Sequence, residues 1–299
     1  MENAGGASVT CASPTRPILR YHGGKWRLAQ WIISHFPAHR IYVEPFGGAA
    51  SVLLAKARCY AEVYNDLDGE IVNLFRVVRD AGPDLARACE LTPYSRAEFD
   101  LSFQPTDDPI KQARRTVVRS QMGFGGNLTR PNRDQSPQRT GFRNYTDVGR
   151  GSTPAGDWSN YPTALTQIIA RLRGVVIEKR DALAVIADHD SPDTLHYVDP
   201  PYVHSTRCGR GARRGYRFEM SDDDHRELAD HLKALAGAVI VSGYDCDLYR
   251  EIFDGWNCVH RQTHADGARD RTETLYLRNV EIYLPGLSLT GNSHDVTQF

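Results

Sequence analysis

Between residues 25 and 78 the spacing of apolar positions alternates between two periods. Lys25 to Phe36 has helical spacing, with Leu28, Ile32 and Phe36 on one side, Trp31 beside them and Pro37 closing the run. A strand follows at 41–44, Gly47-Gly48 turns the chain, and a second helix runs from Ser51 to Ala57. Ala61 to Tyr64 reads as a second strand ending at Asn65-Asp66. Ile71, Leu74, Phe75 and Val78 then share one helical face at i, i+3, i+4 and i+7. This is the β-α-β-α order of a parallel sheet with crossover helices.

The alternation stops over residues 79–160. Ser95 and Glu98 form a capping-box pair and Pro109 suits a first helical turn, which predicts helices near 95–103 and 109–121. Residues 123–160 read as loop, rich in Gly, Arg, Asn, Pro and Thr, with single aromatics at Phe124, Phe142, Tyr145 and Trp158. From Pro162 the pattern resumes. A helix carries Leu165, Ile168, Ile169 and Leu172, Gly174 stops it, and strands at 175–178 and 194–198 flank a short helix. Ser221 and Asp224 cap a helix with Leu228, Leu232 and Leu235, which Gly237 ends before a strand at 238–242. Two late strands, near 256–262 and 273–279, fit an antiparallel hairpin at the sheet edge. The expected fold is one doubly wound, Rossmann-like α/β domain without internal repeats, built from residues 17–78 and 161–284. A mostly helical insertion occupies 79–160, and tails occupy 1–16 and 285–299.

Composition changes this picture little: 299 residues with 40% hydrophobic and 24% charged content are ordinary for a globular chain. No apolar run approaches the length of a spanning helix, and residues 1–15 lack the regions of a signal peptide. The six cysteines, at 11, 59, 89, 208, 246 and 258, show no metal-ligand spacing and read as reduced cytosolic thiols. Charge changes it more. The net charge is −1, yet residues 105–150 carry a balance of +5 and residues 206–218 another +5, leaving −11 on the remainder. A polyanion-facing surface on an otherwise acidic protein has this distribution.

Candidate chemistry collects at the strand ends. Asp199-Pro200-Pro201-Tyr202 follows the apolar run 195–198. An exocyclic amine on a nucleobase is a poor nucleophile because its lone pair is delocalised into the ring. A carboxylate accepting one N–H and a backbone carbonyl accepting the other localise that lone pair. Asp199 and the Pro200 carbonyl suit those roles, the prolines stiffen the turn, and Tyr202 suits stacking on a planar ring. Asp-Pro-Pro is equally an ordinary loop after a strand, so a second site must decide. That site is the same sheet edge, where open parallel sheets bind ligands. Glu44-Pro45-Phe46-Gly47-Gly48 follows the first strand, Asp66 ends the second where an acid chelates ribose hydroxyls, and Asp181 follows the third where it can accept an adenine amino group. The turn is neither a triphosphate cradle nor a dinucleotide fingerprint. An adenosine without phosphate fits better, and S-adenosylmethionine supplies both that adenosine and a methyl electrophile.

Taken together, these motifs and their order resemble the Dam-like, alpha-group adenine-N6 DNA methyltransferases of bacteria and their phages, over roughly residues 17–280. Arg20 to Lys25 resembles the amino-terminal motif of that family, in which Tyr21, Gly23, Gly24 and Lys25 approach the methionine part of the cofactor; His22 departs from the Ala or Pro usual before Gly-Gly. Glu44 to Gly48 resembles its cofactor turn, Asn65-Asp66 its ribose acid, Arg180-Asp181 its adenine-contacting acid, and 199–202 its catalytic motif. The resemblance implies a bacterial cytoplasmic, nucleoid-associated enzyme, orphan, phage-borne or part of a restriction-modification system. It needs no metal and methylates a flipped adenine at specific sites in double-stranded DNA. It also places target recognition in the basic insertion, where nothing within 85–158 aligns, so the target sequence does not carry over. Arg119, Asn127, Arg130, Arg133, Arg143, Arg207, Arg213 and Arg214 are the expected DNA-contacting residues. Two other functions fit the same residues: methylation of adenine in RNA (or of a glutamine side chain), and DNA binding by a protein whose cofactor site has decayed.

Overall fold

The computed structural model describes residues 13–21, 23–124, 141–146, 151–206, 217–265 and 269–280, with side chains omitted at 263–271. In chain order its elements are α1 (Ala29–Ile33), β1 (Ile41–Glu44), α2 (Ser51–Ala55), β2 (Ala61–Asn65), α3 (Gly69–Asp80), α4 (Gly82–Glu90), α5 (Arg96–Leu101), α6 (Pro109–Met122), α7 (Pro154–Ser159), α8 (Tyr161–Leu172), β3 (Val175–Glu178), α9 (Ala182–Asp188), β4 (Thr194–Val198), α10 (Asp222–Lys233), β5 (Ala238–Tyr244), α11 (Asp247–Ile252), β6 (Asn257–Ala265) and β7 (Arg269–Arg278). The strands form one seven-stranded sheet in the order β3-β2-β1-β4-β5-β7-β6. The first five strands run parallel, and β7 is antiparallel to both β5 and β6. The expected α/β sheet and its edge hairpin are therefore present, with the later hairpin strand inserted between β5 and the earlier one.

Strand alternation separates two cores. Tyr42 and Tyr64 point to one face, where they join Phe75, Leu165 and Leu172; Val43 and Val63 point to the other, beneath Val185 of α9. Leu228, Leu232 and Tyr249 of α10 and α11 cover that second face farther along. The winding reverses between β1 and β4, whose registers pair Ile41 with Ala61 on one side and with Thr194 on the other. The carboxyl ends of β1, β2 and β4 consequently meet at one point of the sheet edge.

Helix boundaries follow their caps. Asp68 accepts from Glu70 N at the start of α3, Asp108 accepts from Lys111 N before Pro109, and Ser221 and Asp224 form a complete capping box on α10. Ser95 accepts from Glu98 N, but the Glu98 carboxylate pairs with Arg114 at 2.6 Å instead of closing the box. The helix expected over 25–36 shrinks to Ala29–Ile33. Residues 25–28 are held in turns, with Leu28 N donating to Lys25 O at 2.8 Å, while Ser34 Oγ donates back to Trp31 O and closes the other end. Three short helices, α4, α7 and α11, were not expected from periodicity; α4 buries only Gly82, Leu85 and Cys89, too few positions to set a period.

The described residues of 79–160 are mostly helical, and their helices share the main core. Leu85, Cys89, Phe99, Val117 and Trp158 pack in the same cluster as Leu74 and Phe75 of α3 and Leu165 of α8. Polar bonds stitch the segment before α1 into this layer: Tyr161 OH donates to Ile18 O at 2.8 Å, and Ser120 Oγ bridges Arg20 N and O at 2.7 and 3.0 Å.

At the amino ends of the strands Glu62 sits buried between two cations. Lys56 Nζ lies 2.7 Å from Oε1, and Arg171 Nη1 lies 2.6 Å from Oε2 while its Nη2 donates to Leu53 O at 2.7 Å. These bonds hold the Glu62 carboxyl below its ordinary pKa against the opposing effect of burial. They join α2, β2 and α8, so the halves of the sheet domain on either side of 79–160 are locked together here. Removing one partner of such a buried group costs about 3–5 kcal/mol. Glu62→Gln is expected to lose stability on that scale in denaturant titrations with the transition slope unchanged; a loss under about 1 kcal/mol contradicts this role.

Candidate active site

Asn65 organises the strand ends. Its Nδ2 donates to Pro45 O at 2.9 Å and Arg180 O at 3.0 Å, and its Oδ1 accepts from Arg180 N at 2.8 Å. The fully buried side chain thus ties the chain leaving β1, β2 and β3 into one ledge. Gly47 N donates to Asn65 O at 2.8 Å, and Tyr64 OH donates to Gly48 O at 2.8 Å. A Cβ at Gly47 would stand 2.1 Å from Tyr64 Cε2, and Gly48 has φ +46°, so the turn needs both glycines.

Two acids brace the turn. Asp66 accepts from Gly48 N at 2.8 Å through one oxygen and from Asp68 N at 2.7 Å through the other. Burial pushes its pKa up to about 6. Glu44 Oε2 accepts from Tyr42 OH at 2.7 Å and from Leu53 N at 3.0 Å. Burial pushes this carboxyl up to about 8, so it is largely neutral at pH 7.

A cavity of about 910 Å³, counted to its open mouth, lies over this ledge. The expected residues Tyr21, Gly23, Gly24, Lys25, Glu44, Pro45, Phe46, Gly47, Gly48, Asp66, Asp199 and Pro201 line it, whereas Pro200 and Tyr202, also expected at the site, do not. Ser51, Leu67, Ala182, Arg217, Phe218 and Met220 join them without having been expected. Ser51 Oγ is buried and has no hydrogen-bond partner.

Asp199 stands at one side of the cavity in a compact charge cluster. Lys25 Nζ approaches Asp199 Oδ1 at 2.9 Å, Gly23 O at 3.1 Å and Glu273 Oε1 at 3.7 Å, and lies 4.5 Å from the centre of the Tyr202 ring. Tyr202 OH donates to Glu273, and its ring meets Tyr244 edge-on with centroids 4.6 Å apart. Burial raises the Asp199 pKa to about 6; Lys25 works against that rise and Glu273 adds to it. Glu273 escaped the sequence reading because β7 carries no motif. Its signal is an acid at 273 sharing the inward face of a strand with Leu275 and Leu277, all three buried.

Three expected roles need correction. Asp181 is exposed, lies outside the cavity lining, and its Oδ1 accepts from Ala184 N at 3.1 Å as the cap of α9; Ala182 lines the wall instead. Arg119 is 5% exposed and gives its guanidinium to Glu70 and to Thr116 Oγ1. Arg143 is 3% exposed and donates to Gln121 O at 2.9 Å and Tyr145 OH at 2.7 Å. Both arginines are internal braces, not DNA-facing cations, because both are buried and their guanidinium groups bond to partners inside the protein. Asn127, Arg130, Arg133, Arg207, Arg213 and Arg214 lie outside the described residues. Among the described residues no helix is long and apolar enough to cross a membrane.

This sheet order and ledge define a Rossmann-like methyltransferase fold. A family model described as D12 class N6 adenine-specific DNA methyltransferase matches residues 21–266. The chain belongs to that family and is an adenine-specific DNA methyltransferase. It is similar to proteins named DNA adenine methylase: 24% identical over 289 residues to that of Salmonella typhi, covering 91% of this chain and 97% of the relative. The similarity to that of Escherichia coli (strain K12) is 25% over 289 residues, covering 91% and 96%. For that of Haemophilus influenzae it is 23% over 260 residues, covering 80% and 83%.

The ledge makes its own prediction. Gly47→Ala drives a methyl group into the buried Tyr64 ring and is expected to cost about 1–3 kcal/mol while weakening cofactor binding, read by thermal unfolding and calorimetry. Unchanged stability would show that the turn relaxes freely.

Proposed function

We propose that the protein moves a methyl group from S-adenosylmethionine to N6 of an adenine swung out of double-stranded DNA, with Asp199 as the acceptor-binding carboxylate. The observation that carries this reading is that Asp199 and Pro201 line the same cavity as the Gly47-Gly48 turn. When bound, S-adenosylmethionine supplies an electrophilic methyl on a cationic sulfonium.

The residues present fit that donor. Glycines at 47 and 48 leave backbone exposed where a side chain would intrude, and each Asp66 oxygen keeps a lone pair beyond its backbone bond for a ribose hydroxyl. Ser51 Oγ offers a buried polar atom that still lacks a partner, and Phe46, Leu67, Ala182 and Met220 give apolar surface for a purine. A sulfonium suits a wall bearing Asp66 and Asp199.

On the acceptor side, Asp199 takes one N–H of the adenine amine and the Pro200 carbonyl takes the other, which turns the nitrogen lone pair toward the methyl. With the methyl supplied by the bound donor, the amine nitrogen would become cationic and have to lose a proton; Asp199, with its raised pKa, is placed to receive that proton and pass it to water. Tyr202 provides the ring under the flipped base, and unstacking that base costs a few kcal/mol. We assign this chemistry to 17–78 and 161–284 and target recognition to 79–160, with the tails 1–16 and 285–299 outside both. Arg130, Arg133, Arg207, Arg213 and Arg214, with Asn127, are the candidates for DNA contact. The free thiols of Cys59, Cys89, Cys246 and Cys258 suit a cytoplasmic location.

Asp199→Ala is expected to lower methylation by at least about 10²–10³-fold with DNA binding largely retained, read by nucleoside analysis of digested product. Substantial residual N6-methyladenine would remove Asp199 from the reaction. A pH profile tests the same assignment. The acceptor role needs the ionised carboxylate, so kcat/KM for DNA is expected to fall as pH drops through about 6, and to hold above it. Asp66 titrates in the same window, so cofactor affinity measured separately by calorimetry divides the two effects. A flat kcat/KM for DNA between pH 5 and 7.5 contradicts the assignment.

A further inference from the structure

The Lys25 ammonium occupies two places that the reaction needs: the Asp199 oxygen and the neighbourhood of the Tyr202 ring. A target amine that takes Asp199 Oδ1, the oxygen on which the ammonium rests, has to displace the ammonium from it. Lys25 is only 5% exposed, and moving a buried ammonium off its carboxylate without another partner costs several kcal/mol. A second carboxylate stands ready, because Glu273 Oε1 lies 3.7 Å from the same nitrogen, a short side-chain shift from contact. Glu273 is 3% exposed and also accepts the Tyr202 hydroxyl, so it grips the two groups that must rearrange together when a base enters.

We propose that Glu273 is a positioning residue for methyl transfer: it receives the Lys25 ammonium when the target amine takes Asp199, and it anchors the Tyr202 ring on which that base rests. The inference rests on the assignment of Asp199 as the acceptor-binding group. In the free protein the three charged groups form one Asp199–Lys25–Glu273 relay. In the loaded protein Lys25 and Glu273 become a closed pair beside the base. The ammonium thereby keeps a full counter-charge in both states, and the base binds without leaving a dehydrated cation unpaired. The ledge holding the methyl donor, at Gly47, Gly48 and Asp66, takes no part in this exchange.

The test is a double-mutant cycle on the full chain, using a duplex that the enzyme methylates, with each variant's thermal unfolding recorded. Glu273→Gln keeps an acceptor for Tyr202 but cannot compete for the ammonium. It is expected to lower kcat/KM for DNA roughly 10- to 100-fold while S-adenosylmethionine affinity stays within about twofold. Lys25→Met removes the competitor but also the cation that keeps Asp199 ionised, so it lowers activity by itself; in the Glu273→Gln background its further loss is expected to be clearly smaller than in the unmodified enzyme. Glu273→Asp, which keeps the charge, is expected to recover part of the loss. The inference is overturned if Glu273→Gln stays within about threefold of the unmodified enzyme, if cofactor affinity falls as far as DNA turnover, or if the Lys25 and Glu273 losses simply multiply. Should Glu273→Gln fail to fold, Glu273→Asp takes its place in the cycle with the same criteria, its expected loss being smaller but again not simply multiplying with that of Lys25→Met. Full activity of Glu273→Gln beside an inactive Asp199→Ala rejects the relay alone; an active Asp199→Ala rejects the acceptor assignment beneath it.

Discussion

A carboxylate that must hold a weakly basic amine has to be dehydrated, and dehydration alone drives it toward the protonated form that cannot accept. The Asp199–Lys25 ion pair opposes that drift, and much of the surrounding architecture follows from it. Lys25 arrives from the segment before α1, Asp199 from the end of the central strand β4, and Glu273 from β7 beyond β5. Three distant stretches of chain therefore have to meet at one strand end. The insertion of β7 between β5 and β6 brings Glu273 there, since its register places that residue opposite Tyr244 at the end of β5.

The two ends of the sheet handle buried charge differently. Around Glu62 two cations face one carboxylate, every partner is in contact, and the carboxyl stays ionised. Around Asp199 one cation faces two carboxylates, and the acid is held close to titration. A saturated cluster locks elements together, whereas an undersupplied one is easily rearranged by an incoming ligand. Asn65 belongs to the first kind in neutral form: its bonds to Pro45 and Arg180 tie the three strand ends together.

The residue pattern revealed the sheet because buried parallel strands are short apolar runs followed by turn signals, and all five were legible as such. The strand-end motifs were legible for a related reason: glycine pairs, Asp-Pro-Pro and an acid after a strand are unusual local choices. What stayed hidden depends on distance across the fold. Glu273 lies in a strand with no motif, Asn65 looks like an ordinary strand terminus, and Arg217, whose guanidinium lies 2.7 Å from Asp68, read as one more arginine in a basic run. Asp181 fails in the opposite direction. An acid just before a short helix is also a helix cap, and capping is what its carboxylate does.

The basic segment shows how far a charge count can be taken. Residues 105–150 contain nine Lys and Arg, but four of them are committed internally: Arg114 to Glu98, Arg115 to the carbonyls of Gln104 and Pro105, Arg119 to Glu70, and Arg143 to Gln121 O and Tyr145. Arg115 and Arg119 lie four residues apart on α6 and are both buried, so part of what looked like a basic face is a seam against the neighbouring helices and loops. An arginine guanidinium has five donors and a long apolar stem, which lets it brace backbone carbonyls inside a helical layer as readily as it grips phosphate. Net charge cannot tell the two apart, because the internal partner is a neutral carbonyl as often as a carboxylate. The other cations of this stretch are Lys111, exposed on α6, and Arg130, Arg133, Arg139 and Arg150, which lie outside the described residues. The proposed DNA contact is therefore to be sought among residues 125–140, which follow α6 in the sequence.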